Sequence, residues 1–349
     1  PTHAGLEYPA SVLAALTAPE SLVYEPQAAG LAIAREAVAG YYRGAVQSDR
    51  ILLTTSTSDS YGYLFKLLCN PGDEILVPRP SYPLFEFLAS LESVRVVHYP
   101  LAYHGSWCMD LDALARAVTP RTRAIVLVNP NNPTGSFLKQ DEFAALVELA
   151  NSRGVVIIAD EVFADYGHSD DPRRVASLAG RDVAPSFSLS GLSKVSALPQ
   201  MKLGWIVVNG PEQFRRQAIE RLELITDTYL AVSTPIQHAA ARMLDARFQI
   251  QEQIRARVAH NLAHLRAAIP ADSPCRILQV EGGWYATLQV PRLRTEDELA
   301  EDLLERANVL VQPGYFYDFD SDGHLVLSLL TPPADFAPGI AAVLDASVR

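Results

Sequence analysis

The sequence predicts an α/β protein, with a large domain on a mainly parallel, helix-covered sheet and a smaller α+β domain. Strand-like and helix-like segments alternate from about residue 50 to residue 210, the pattern of a layered α/β domain. The strand segments are near-continuous Ile/Val/Leu runs, as a sheet covered on both faces requires. Beyond residue 210 the texture changes to long helical patterns followed by short strands.

In chain order, "ILLTT" (51–55) reads as a buried strand, and Tyr61, Leu64, Phe65 and Leu68 then recur at helical spacing. "NPGD" (70–73) is a turn and "EILVP" the next strand. "YPLFEFLASLE" is helical, "VRVVHYP" extended and "LDALARAV" helical again. "RAIVLVNP" is a strand, "DEFAALVELANSRG" a helix with a glycine stop, and "VVIIAD" a strand. Helical patterns fill roughly 211–268, including "RFQIQEQIRARVAHNLAHLRAAI". Short strands follow in "CRILQVE", "WYATLQV" and "HLVLSLL", with the helix "EDELAEDLLERAN" among them. The expected division is a large domain over 21–232 and a small one from 1–20 and 233–349.

Lys and Arg total 29 against 40 Asp and Glu, a net charge of −11. That argues against non-specific binding to nucleic acid or anionic membranes. A small anionic ligand still fits, because a local pocket can be positive. The three cysteines, Cys69, Cys108 and Cys275, lack C-x-x-C spacing, so neither a disulfide framework nor a zinc site is expected. A reducing, cytoplasmic setting is the simplest reading. No apolar run approaches the ~18 residues that span a bilayer, and no signal peptide is visible.

Five segments bear on chemistry. "TTSTSDS" (54–60) lies between a strand and a helix, where free N–H groups and the helix dipole suit a phosphate; ordinary N-capping would use the same residues. "NPNNPTG" (129–135) follows a strand, at the end of a parallel sheet where ligands bind, and its Asn132 could donate to a ring oxygen. "VVIIADEVFADY" (155–166) ends a strand with Asp160 and Glu161; a buried Asp160 would need a cationic partner, though a cap or surface turn is the plainer alternative. "PRPSYP" places Tyr82 after another strand, for packing or for stacking on a flat ring. In "SLSGLSKVSALPQMKLGW" (188–205), Lys194 has no acid within several residues. It is either a solvated turn residue or a lysine kept free for chemistry. A reactive lysine, an acid for a ring cation, an aromatic for stacking, an asparagine and a phosphate turn together describe pyridoxal 5′-phosphate (PLP).

On "NPNNPTG", "DEVF" and "GLSKVSALPQMKLG" above all, and from about Tyr24 to Leu330, the chain resembles the fold-type I PLP enzymes of the class I/II aminotransferase family. The resemblance implies the PLP-dependent transferase fold, with Lys194 as the Schiff-base lysine and Asp160 as partner of the pyridinium. It places Asn132 at the ring oxygen, Tyr82 on the ring, and Ser56, Thr57 and Ser58 at the phosphate. Tyr24, in "YEPQAAGLAIAREAVAGYY", matches a tyrosine that reaches the phosphate of a neighbouring subunit, which implies a homodimer with shared active sites.

Four positions depart from the family pattern. Phe163 replaces a tyrosine that bonds the ring oxygen. Lys202 stands for a phosphate-binding arginine and lacks its fork. Gly191 stands for a serine, with Ser190 as the candidate substitute. Val326 occupies the place of an arginine that clamps the substrate carboxylate. The resemblance implies an aminotransferase acting on an amino acid and a 2-oxo acid. The alternatives are a lyase, decarboxylase or cyclase on the same fold and a non-catalytic ligand sensor. A serine hydrolase is disfavoured, because "GLSKV" lacks the second glycine of a nucleophile elbow.

Overall fold

The computed structural model describes residues 5–230 and 232–349. Its larger sheet has eight strands: β1 (Ile51–Thr54), β2 (Glu74–Arg79), β3 (Arg95–Tyr103), β4 (Trp107–Met109), β5 (Thr122–Val128), β6 (Val156–Asp160), β7 (Ser186–Gly191) and β8 (Gly204–Asn209). Their order is β1-β8-β7-β6-β5-β2-β3-β4. The ladders from β3 through β2, β5 and β6 to β7 are all parallel. β8 runs antiparallel to both β7 and β1, and β4 folds back on β3 as a hairpin. The sheet is therefore mainly parallel but mixed, and β1 points the same way as β2, β5, β6 and β7.

Apolar side chains leave both faces, which is why the strands read as continuous runs. On one face Leu52, Ile75, Val77, Val126, Ile158 and Leu189 pack with Leu64, Phe65 and Leu222, from helices Thr57–Leu68 and Glu212–Tyr229. On the other, Leu76, Ile125, Leu127 and Ile157 pack with Leu114 and Leu146, from helices Leu111–Ala117 and Gln140–Arg153. The glycine stop holds: Gly154 is left-handed at φ 66° and its N–H returns to Ala150 O.

A second sheet has the order β11-β12-β10-β9, from β9 (Arg276–Ile277), β10 (Tyr285–Gln289), β11 (Gln312–Pro313) and β12 (His324–Ser328). Helices Arg247–Ala268, Glu296–Ala307 and Pro333–Ala346 accompany it. "CRILQVE" forms less strand than expected. Only Arg276–Ile277 makes a ladder with β10, and the chain beyond bridges Gly167 through Gly282.

Candidate active site

Because β1, β2, β5, β6 and β7 run in one direction, the segments that follow them open at one edge of the sheet, the usual ligand edge of such sheets. A cavity of about 300 Å³ lies there. Ser56, Thr57 and Ser58 follow β1, Tyr82 follows β2, Asn132 follows β5, Asp160 ends β6, and Lys194 follows β7; all line the cavity with Phe163 and Lys202. These residues come from separate stretches of the chain: each motif sits at a strand end and the sheet assembles them.

Asp160 accepts the Val162 N–H at 3.2 Å and the Tyr61 hydroxyl at 3.1 Å. Loss of hydration pushes its carboxyl up to about 6, against the pull of those two donors and of the Lys194 charge. A cation arriving in the cavity would restore the anion. Its neighbour Glu161 turns into the protein. It accepts the Ser177 hydroxyl and the Leu178 N–H, each at 2.6 Å, and burial pushes it up to about 7.

Lys194 stands on the single helical turn Leu192–Val195. Its Nζ lies 5.6 Å from the Phe163 ring centre and 5.4 Å from that of Trp284. Burial lowers the amine below the ordinary lysine range, with Asp160 opposing. Among the described residues no ion pair holds the amine. The turn beneath it is held from several elements. Tyr166 OH donates to Lys194 O at 2.6 Å, Gln251 to Val195 O at 2.8 Å and Tyr8 OH to Ala197 O at 2.7 Å. The backbone is fixed while the amine stays free.

Ser56 caps helix Thr57–Leu68, its side chain accepting the Asp59 N–H at 3.2 Å. The capping alternative is thus real for Ser56, while Thr57 and Ser58 still face the cavity. Strand β8 comes so close to this turn that a Cβ at Gly204 would lie 3.0 Å from Ser56 C and from Thr54 Oγ1. Lys202 precedes β8 in a left-handed conformation, φ 52°, on the cavity wall.

Asn132 is buried, and its Oδ1 has no hydrogen-bond partner among the described residues. Tyr82 is 47% exposed at the mouth. Phe163 is buried, its ring edge-on to Trp284 at 5.2 Å and Tyr285 at 6.2 Å. Ser190 lies in β7 with an unpartnered buried hydroxyl, and is not among the lining residues. Gly191 fits tightly: a Cβ there would meet Leu203 O at 3.0 Å and Gly204 Cα at 3.1 Å. Val326 does not face the cavity but packs with Trp107, Leu278, Tyr317 and Phe319. Tyr24 is 75% exposed and outside the cavity of its own chain.

Sequence reading missed Tyr61, Trp284 and Tyr285 as parts of the site. Tyr61 carried only the signal of an apolar helix face. Tyr285 reaches the cavity from β10 of the other sheet.

The family described as aminotransferase class I and II matches residues 11–334. The glutamate-pyruvate aminotransferase AlaA of Escherichia coli strain K12 is 35% identical over 230 residues, which are 64% of this chain and 56% of that protein. The chain thus matches little more than half the length of that relative. The alanine aminotransferase of Mycobacterium tuberculosis strain H37Rv is 30% identical over 320 residues, 87% of this chain and 72% of that one. Among solved structures, an aminotransferase from Escherichia coli superposes with a TM-score of 0.84 at 26% identity, covering 98% of this chain and 87% of that one.

Proposed function

The chain belongs to the class I and II aminotransferases, and from that premise we propose that it is a PLP-dependent enzyme exchanging amino groups between an amino acid and a 2-oxo acid. One observation carries the reading: a free, desolvated lysine and a half-buried carboxylate share one cavity with a helix N-terminus.

The residues present suit the cofactor. Asn132 lines the cavity with an amide whose Nδ2 could donate to the ring oxygen, and its buried Oδ1 has no hydrogen-bond partner among the described residues. Asp160 is pushed up by burial despite the Lys194 charge, so a ring cation beside it would favour its ionised form. Thr57 and Ser58 open the helix Thr57–Leu68 on the cavity, where a phosphate would meet N–H groups and the dipole.

When bound, PLP supplies an aldehyde open to amines and a ring that draws electrons from the substrate carbon. Lys194, its amine lowered by desolvation, would hold the cofactor through its aldehyde and would serve as the base for the proton at the substrate Cα. Asp160 would pair with the protonated ring nitrogen, and the Tyr61 hydroxyl holds Asp160. Asn132 would donate its amide N–H to the ring oxygen, and Tyr82 would stack on the ring. Ser56, Thr57, Ser58 and Lys202 would anchor the phosphate. The Phe163 and Trp284 rings face the amine at 5.6 and 5.4 Å. With Phe163 in place of a tyrosine, the ring oxygen has one donor fewer.

The names of the relatives favour glutamate, alanine and their 2-oxo acids as substrates. We assign residues 21–232 to the cofactor-binding domain and the remainder to the small one. The exposed Leu13, Leu22, Val23 and Tyr24 support a homodimer in which Tyr24 reaches the partner's phosphate, in a cytoplasmic enzyme. No helix of the described residues is long and apolar enough to cross a membrane.

One observation favours a second reading, a lyase, decarboxylase or cyclase. No arginine lines the cavity among the described residues, and Val326 lies elsewhere. A panel of amino acids with pyruvate or 2-oxoglutarate decides between them. Matched formation of a new amino acid and a new 2-oxo acid is expected. Ammonia or carbon dioxide release without amino transfer would replace this reading with the second.

A further inference from the structure

A second cavity of about 300 Å³ lies between helix Arg247–Ala268 and the segment around Tyr166 and His168. We propose that it binds a small organic carboxylate, held by Arg266 and Arg255 with its hydrocarbon body against Val258 and Leu262, and that occupancy is felt at Lys194 through Tyr166.

The charge balance points to an anion. In a chain of net charge −11, none of the described residues lining this cavity is acidic. Arg266 makes no hydrogen bond or ion pair with any described residue. Arg255 uses Nη2 on Asp165 O at 3.0 Å and Gln251 Oε1 at 2.9 Å, which leaves the rest of its fork open. His168 donates from Nε2 to Gly283 O at 3.0 Å, and its buried Nδ1 has no partner among the described residues. Burial first, then Arg266 and Arg174, hold this imidazole toward its neutral form. A carboxylate matches two guanidinium groups. The apolar wall of Val258 and Leu262 favours an organic anion over a bare inorganic one, and the volume suits a small molecule.

The cavity is backed by the turn that carries the active-site lysine. Tyr166 forms part of its wall, is buried, and donates its hydroxyl to Lys194 O at 2.6 Å. The same ring lies edge-on to Trp284 at 5.0 Å, and Trp284 lies 5.4 Å from Lys194 Nζ. Gln251, bonded to Arg255, also donates to Val195 O at 2.8 Å. An anion that draws on Arg255 and Tyr166 therefore acts on two carbonyls of one turn.

The probe is isovalerate, which has no amino or 2-oxo group, with isovaleramide as its neutral counterpart. Calorimetry on the PLP-loaded protein should give saturable binding of isovalerate and none of isovaleramide. Arg266→Glu changes an exposed residue, so its melting temperature and its turnover without isovalerate should match wild type, while its affinity for isovalerate falls about tenfold or more. At saturating substrates, isovalerate should change kcat in wild type and not in Arg266→Glu. Absence of saturable binding, equal binding of the amide, or equal binding by Arg266→Glu overturns the site. Binding that leaves kcat unchanged overturns the link through Tyr166. The binding arm needs no turnover, so its outcome is separate from that of the transamination test.

Discussion

Replacing Tyr61 by phenylalanine removes one atom from the site and almost nothing from its packing. The Tyr61 ring is buried and sits edge-on to Phe85 at 5.3 Å, contacts that phenylalanine keeps. What goes is the hydroxyl donated to Asp160 Oδ2 at 3.1 Å. A hydrogen bond to a charged group is worth about 1.5–3 kcal/mol, or about one to two pKa units. Asp160 already titrates near 6 through loss of hydration. In the cofactor-free Tyr61→Phe protein it should titrate roughly at 7 to 8. A carboxyl protonated at neutral pH no longer favours a proton on the ring nitrogen, so turnover at neutral pH should fall about tenfold or more. A carbon-13 NMR titration of the Asp160 carboxyl, in both proteins without cofactor, reads the shift directly. An Asp160 pKa in Tyr61→Phe equal to or below that of wild type refutes the reasoning, whatever happens to activity.

Glu161 is pushed up to about 7 in the folded protein, against ~4.3 unfolded. The folded state holds this proton more tightly, so the stability it contributes is complete below the unfolded value and is lost as pH rises through about 7. Denaturant melts at pH 5 and pH 8 should show Glu161→Gln losing a fall on the order of 3 kcal/mol that wild type suffers; an unchanged difference between the two pH values counts against it. Gly204→Ala places a methyl 3.0 Å from Ser56 C and Thr54 Oγ1, backbone and buried strand that cannot readily yield. It should cost about 1–3 kcal/mol of stability and loosen PLP, and a variant that melts and retains PLP like wild type would contradict the role given to β8.

What was legible in the sequence was local. Asn132, Asp160 and Lys194 each stand inside a continuous motif at a strand end, so the string carries both the residue and its place. The covered sheet was legible because both faces of β2 and β5 are apolar, leaving no polar alternation. Tyr61 was not, since its partner is 99 residues away and its helix spacing was that of any buried face. Trp284 and Tyr285 come from the second sheet, and only tertiary packing brings them to Lys194. Strands β7 and β8 were not singled out. Ser186, Ser188 and Ser190 alternate with Phe187 and Leu189, and all are buried, so the serines disguised an interior strand. Val326 illustrates the reverse case. Its position in "HLVLSLL" suggested a place at the site, and its side chain packs in a separate cluster with Trp107 and Tyr317.

The central claim is that Lys194 carries the cofactor. Borohydride reduction of the PLP-loaded protein, followed by peptide mapping, tests it most directly. The account predicts a pyridoxyl group on Lys194, absent in Lys194→Ala, which should also lose turnover by several powers of ten. A label on Lys202 or Lys66 in place of Lys194 would contradict it.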